Sequence, residues 1–288
     1  MKYFGIFLII FAFTTQGFSQ IDLLHHDTQP SEMAVTVPFE IGDRVTMYSS
    51  VLDEDRVINV YLPNSYSKAT HKDYPVIYLL DGARDEDFIH ISGLVQFASF
   101  LWIDMVPESI VVGIANIDRK RDFTFPPSVA DHSQNFPTAG GSEKFINFIE
   151  MELQPYIEKS YRTTRTKTII GQSLGGLLAT EILFTKPHLF NNYLIVSPSL
   201  WWDEEAILKK QPAIIHANYK VAKNIFIAVG GQEDDVMKRE AKALYTLLQG
   251  SENSAITTNF ELFEEQNHAD ILHLAAYKGL QTIFKKEE

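Results

Sequence analysis

A chain of 288 residues, 45% of them hydrophobic and 22% charged, can bury a full core as one large α/β domain, which excludes disorder on the scale of a domain. Its 25 basic and 37 acidic residues leave a formal charge of −12, which argues against nucleic acid or an anionic membrane as partner and for a soluble substrate. With no cysteine, neither a disulfide framework nor a lipid-modified N-terminal cysteine is available.

Met1 to Gln20 opens with Lys2, continues as the apolar run Tyr3 to Phe13, and ends near Gly17-Phe18-Ser19, where small residues occupy the positions a signal peptidase reads. The apolar run is well short of the ~20 residues a bilayer span needs. The expectation is a secretory signal over 1–20 and release as a secreted or periplasmic protein, with no stable membrane insertion after cleavage. Residues 21–33 read as a flexible lead-in. His25 and His26 lack a second ligand pair at suitable spacing, so no metal is expected there.

The catalytic domain is expected over 34–286. Ala34 to Ile41, Arg44 to Leu52 and Val57 to Leu62 read as antiparallel strands at a sheet edge. Pro75 to Leu80 is a continuous apolar run, as in a strand buried on both faces, and ends in Asp81-Gly82-Ala83. Helical spacing over Ile91 to Met105 stops at Pro107, and Ser109 to Ala115 is the next buried strand.

Residues 116–141 are rich in Pro, Asp, Arg and Gly with little periodicity, and loops of that length inside compact domains usually bind something. Arg119 and Arg121 stand out there. Guanidinium groups grip carboxylates, phosphates or catecholate oxygens; the alternative is an internal salt bridge with Asp118 or Asp122. Ser142 to Ile157 then reads as an amphipathic helix.

From Lys167 to Leu178 a β-branched run, Thr168-Ile169-Ile170, hands over to a helix marked by Leu177, Leu178, Ile182 and Leu183. Ser173 sits at the handover inside Gly171-x-Ser173-x-Gly175. A nucleophile elbow needs that pattern, because its serine backbone is strained and strand and helix approach closely. Tyr193 to Val196 is the next strand, followed by Ser197-Pro198-Ser199-Leu200-Trp201-Trp202. Trp201 and Trp202 suggest a wall for a flat substrate, with core packing as the competing explanation. Asn224 to Val229 ends in Gly230-Gly231-Gln232-Glu233-Asp234-Asp235, and Thr258 to Phe263 precedes His268 and a closing helix.

A serine hydroxyl is a weak nucleophile at neutral pH and needs a base within hydrogen-bond reach, which in turn needs a carboxylate to fix its tautomer. Ser173 after one strand, an acid cluster two strands later and His268 after the last strand follow the order Ser, acid, His. Glu233 is the preferred acid, standing three residues beyond Gly230; Asp234 is the alternative, and Asp235 a lesser one. The backbone N–H groups of Ala83 and Leu174 are the candidate oxyanion donors. His273 is expected to pack within the closing helix, and His90 and His132 have ordinary surface explanations.

The segments Tyr78-Leu79-Leu80-Asp81-Gly82, Arg119-x-Arg121-Asp122, Gly171-Gln172-Ser173-Leu174-Gly175-Gly176, Ser197-Pro198-Ser199-Leu200-Trp201-Trp202 and Asn267-His268 resemble the putative esterase family over about residues 55 to 284. That group of α/β hydrolases holds esterase D, feruloyl esterases, mycolyltransferases and the siderophore trilactone esterases, and the resemblance is strongest to the last branch. It implies an α/β-hydrolase fold with a mostly parallel sheet of about eight strands and no separate cap domain. It also implies Ser173 as nucleophile, His268 as base, substrate contacts from Arg119, Arg121 and Trp201, and no metal or other cofactor. The expected substrate is a small-molecule carboxylic ester, of catecholate siderophore type. A carbohydrate acyl or feruloyl ester, acyl transfer, or a non-catalytic binding module on the same fold are the alternatives. The oligomeric state is not set.

Overall fold

The computed structural model describes residues 35–251 and 253–285. The expected signal and lead-in at 1–33 lie outside them. All the elements below belong to the unit that begins at Glu40.

Strands that are apolar on both faces must be covered on both, and that requirement sets the architecture. Strands β1 (Asp43–Ser49), β2 (Glu54–Tyr61), β3 (Tyr74–Leu79), β4 (Ile110–Ile114), β5 (Thr163–Gln172), β6 (Asn192–Val196), β7 (Lys223–Gly230) and β8 (Ile256–Phe263) form one sheet. Its order is β1-β2-β4-β3-β5-β6-β7-β8. The β1–β2 and β2–β4 pairings are antiparallel and the rest parallel. Every residue of β4 and of β6 is buried.

The period of two in β3 divides its side chains between two core layers. Val76 and Tyr78 join Phe145, Leu177 and Leu244 on one face, while Ile77 and Leu79 join Ile91, Val95 and Ala276 on the other. Helices α1 (Phe88–Ala98) and α8 (Ile271–Ile283) cover the second face. The first is covered by α4 (Ser142–Phe148), a π-helical turn (Ile149–Leu153) leading into α5 (Gln154–Ser160), α6 (Leu174–Thr185) and α7 (Asp235–Gln249). The fold is the α/β-hydrolase architecture expected from the sequence, with eight strands.

Three boundaries differ from expectation. Residues 35–42 form no strand: all are exposed, so alternation there has nothing to bury against, and Pro38 has no N–H to pair. Helix α1 ends at Ala98, where the Ser99 hydroxyl bonds back to the Gln96 carbonyl, and Leu101 and Trp102 beyond it are exposed. The stretch 116–141 is folded, carrying α2 (Arg119–Phe123) and α3 (Ala130–Asn135). Asp118 caps α2 by accepting from the Arg121 N–H at 3.0 Å, and Phe123 is fully buried beneath it.

Candidate active site

At the end of β5 the chain must turn from strand to helix in one residue. Ser173 does this at φ 59° and ψ −120°, a conformation costing a side-chain-bearing residue roughly 1–3 kcal/mol. Backbone bonds hold it there: its N–H donates to the Val196 carbonyl at 3.0 Å, and its carbonyl accepts from Leu177 and Ser199, both at 3.0 Å. A Cβ on Gly171 would lie 2.3 Å from the Gly175 carbonyl oxygen, and one on Gly176 would lie 2.9 Å from Pro198 Cα. One on Gly175 would meet nothing closer than 3.4 Å. The steric demand of the elbow thus falls on Gly171 and Gly176, a correction to the expectation that Gly175 is the second essential glycine.

Two strands away, Glu233 and His268 meet. Glu233 Oε2 lies 2.7 Å from His268 Nδ1. The other oxygen, Oε1, accepts from the Ser197 hydroxyl and from the Gly230 N–H at 2.8 Å. Burial works to raise the Glu233 pKa, but the bonds from His268, Ser197 and Gly230 outweigh it and hold the carboxyl below its usual range. An ionised carboxylate only accepts, so the His268 proton belongs on Nδ1 and Nε2 is left as a base. The two neighbouring acids have other tasks. Asp234 caps α7 through Val236 N–H at 2.8 Å, and Asp235 is almost fully exposed, 2.8 Å from Lys238.

Ser173 and His268 line one cavity of about 740 Å³, together with Asp81, Arg119, His90 and His273. The Gln172 side-chain amide ties the elbow to the His268 carbonyl at 2.5 Å. The Ser173 hydroxyl pairs with the buried Ser199 hydroxyl at 3.2 Å, and no hydrogen bond joins it to His268. Such catalytic contacts are commonly loose without substrate and tighten when one binds. Of the two expected oxyanion donors, Leu174 N–H opens α6, where no intrahelical carbonyl can take it. Ala83 N–H instead donates to the Glu86 carboxylate at 2.9 Å, which must move before that donor is available.

The four expected substrate contacts separate. Arg119 lines the cavity, but its Nε and Nη2 grip Asp81 at 2.6 and 2.9 Å and Nη2 also reaches the Gln172 carbonyl at 3.1 Å. Arg121 does not line it: it pairs with Asp122, one of the two internal partners the sequence had left open, and with Glu54, which the sequence did not suggest, and that pairing raises its pKa further. Trp202 is fully buried, donating its indole N–H to the Phe125 carbonyl at 2.9 Å, and so is core rather than wall. Half-buried Trp201 packs on Phe136 and Trp202 and is also absent from this cavity.

Three cavity residues escaped the sequence reading. His90 and His273, the latter exposed, stack 5.0 Å apart with Nε2 of His90 2.7 Å from Nδ1 of His273, and both line the cavity. Asp81, at φ 54°, is the anchor of Arg119; its place in Asp81-Gly82 at a strand end was the available signal. Among the described residues no group of three or more His, Cys, Asp or Glu could hold a metal ion. None of their helices is long and apolar enough to cross a membrane.

A strained serine at a strand-to-helix elbow, beside an imidazole paired to a carboxylate at the carboxyl rim of a largely parallel sheet, is an arrangement of the α/β hydrolases. Residues 49–270 match the family described as Putative esterase, and the chain belongs to that family, in its siderophore esterase-like branch. It is 30% identical over 266 residues to the ferri-bacillibactin esterase BesA of Bacillus subtilis (strain 168), covering 86% of this chain and 90% of the relative. The BES protein from Bacillus cereus superposes with TM-score 0.78 at 30% identity, covering 88% of this chain and 98% of the other. An IroE-like serine hydrolase from Shewanella oneidensis superposes with TM-score 0.76 at 29% identity, covering 85% and 80%. The protein is a carboxylic ester hydrolase.

Proposed function

We propose that the protein is a serine esterase working through an acyl-enzyme on a small siderophore-type ester. Ser173 Oγ attacks the ester carbonyl as His268 Nε2 takes its proton, and Glu233 stabilises the imidazolium through the Nδ1 hydrogen bond. Leu174 N–H faces the developing oxyanion, joined by Ala83 N–H once Glu86 withdraws. The imidazolium gives its proton to the leaving alcohol. Water, activated by the same imidazole, then releases the acid. The observation that carries this is the 2.7 Å Glu233–His268 contact in a structure whose cavity also presents Ser173. The siderophore-type substrate draws support from the named activity of the B. subtilis relative.

The test is labelling of the full chain by a fluorophosphonate, followed by hydrolysis of p-nitrophenyl acetate, with Ser173→Ala as control. Labelling and turnover in the wild type, both abolished in the variant, are expected; turnover that survives Ser173→Ala overturns the mechanism. The proposal includes export, for which N-terminal sequencing of the protein from its native host is expected to begin after residue 20.

A further inference from the structure

We propose that Ser199 is a positioning residue for the nucleophile: its hydroxyl donates to Ser173 Oγ, turning the Ser173 proton toward His268 and stabilising the charge that gathers on that oxygen during attack. This rests on the serine esterase reading and adds a residue to it.

Ser199 is 2% exposed and stands in the turn that follows β6. That turn touches the site three times. Ser197, at φ 43°, gives its hydroxyl to Glu233. Pro198 lies so close to the elbow that a Cβ on Gly176 would fall 2.9 Å from its Cα. Ser199 itself gives its N–H to the Ser173 carbonyl at 3.0 Å, and its own carbonyl accepts from the N–H of buried Trp202 at 3.3 Å. With its backbone held on both sides, the side chain places Oγ 3.2 Å from Ser173 Oγ.

Two hydroxyls at that distance can bond in either direction, and the surroundings decide which. Among the described residues the Ser199 hydroxyl has no other partner. Were Ser173 the donor, its proton would point away from the imidazole and the buried Ser199 proton would lack an acceptor, a costly state for a group shielded from water. With Ser199 as donor, the Ser173 proton is free to turn to His268 Nε2, which the Glu233 contact keeps as an acceptor. Only the second direction gives both protons an acceptor.

The proton of Ser199 stays on its own oxygen throughout. In acylation the bond from Ser173 Oγ to the carbonyl carbon forms, the Ser173 proton passes to His268 Nε2, and the leaving alcohol takes it as its own bond to carbon breaks. In deacylation water adds, the bond to Oγ breaks, and Oγ regains a proton from the imidazolium. Both steps pass through a state in which Oγ is part alkoxide, and a hydrogen bond to a charged acceptor is about twice as strong as one to a neutral acceptor. Ser199 does not line the cavity, so it acts on these two barriers and not on substrate binding.

The test is Ser199→Ala in the full chain, read with p-nitrophenyl acetate. The change removes one oxygen and keeps Cβ and the backbone bonds, so the melting temperature is expected to stay within a few degrees of wild type. The variant is expected to lose about tenfold in kcat with KM changed by less than about twofold. The rate of fluorophosphonate labelling is expected to fall in step, because that reaction uses the same oxygen. A kcat within about twofold of wild type, or above it, overturns the proposal, as does a loss carried by KM or accompanied by a clear drop in melting temperature. Full turnover by Ser199→Ala beside an inactive Ser173→Ala would remove this inference alone. Hydrolysis that survives Ser173→Ala would remove the esterase reading and this with it.

Discussion

Replacing Glu233 by Gln exchanges one carboxylate oxygen for an amide NH2 and separates the charge of this side chain from its shape. The glutamine carbonyl can still accept from Ser197 and Gly230 N–H, as Oε1 does now. The amide nitrogen then faces His268 Nδ1, where an acceptor had been. With a 2.7 Å contact the two charge centres of an imidazolium–carboxylate pair stand roughly 4 Å apart, worth about 4 kcal/mol at an effective dielectric near 20. The His268 side chain is 45% exposed, so water screens one side and the charge term drops to about 2–3 kcal/mol. A donor at Nδ1 also favours the tautomer whose Nε2 carries the proton and cannot act as base. Together these lower kcat by about 10²- to 10³-fold. The assay is p-nitrophenyl acetate hydrolysis across pH, with thermal melting as a check that the variant is folded. A variant that keeps more than about a third of wild-type kcat would refute the assignment, as would Asp234→Asn producing the large loss instead.

Asp122→Ala leaves the fully buried guanidinium of Arg56, now 2.8 Å from Asp122, with only Glu54 and the Ala115 carbonyl. Urea unfolding should show a loss of about 3 kcal/mol, and KM should rise because α2, which carries Arg119, loses its anchor. Gly171→Ala should give little folded protein, whereas Gly175→Ala should fold and melt within a few degrees of wild type, read by circular dichroism. Burial, then the charge of Glu205, pushes buried Glu240 up to about 7 from an ordinary 4.5, so the folded state holds a proton that the unfolded state releases. Its contribution is fully present below pH 4.5 and is lost as pH rises through 7, about 3 kcal/mol at most. Glu240→Gln should flatten that slope in denaturant midpoints measured at pH 5 and 8.

The sheet was legible because its central strands are apolar on both faces, and no helix of that length needs such a run. The positions of Ser173, Glu233 and His268 were legible for a related reason: each follows directly on a strand that patterning alone can locate. Side-chain direction is not encoded that way. Trp201 and Trp202 are adjacent in a loop, and only the packed structure shows the second turned inward to Phe125. Arg119 and Arg121 share a residue type and a five-residue helix, yet one lines the cavity and the other pairs with Glu54 and Asp122. Their partners Asp81 and Glu54 lie 38 and 67 residues away in sequence. A hydroxyl group at residue 99 ended α1 earlier than apolar spacing suggested, a local competition that periodicity does not register.

Asp81, Ser173 and Ser197, at φ 54°, 59° and 43°, end three strands that are neighbours in the sheet. Of the eight side-chain-bearing residues at positive φ among those described, these three are thus aligned along one seam at the rim of the sheet. On gentle heating that seam should slacken first, and turnover should fade several degrees before the strands part. Enzyme inactivated this way should recover on cooling, since nothing below the seam has been undone.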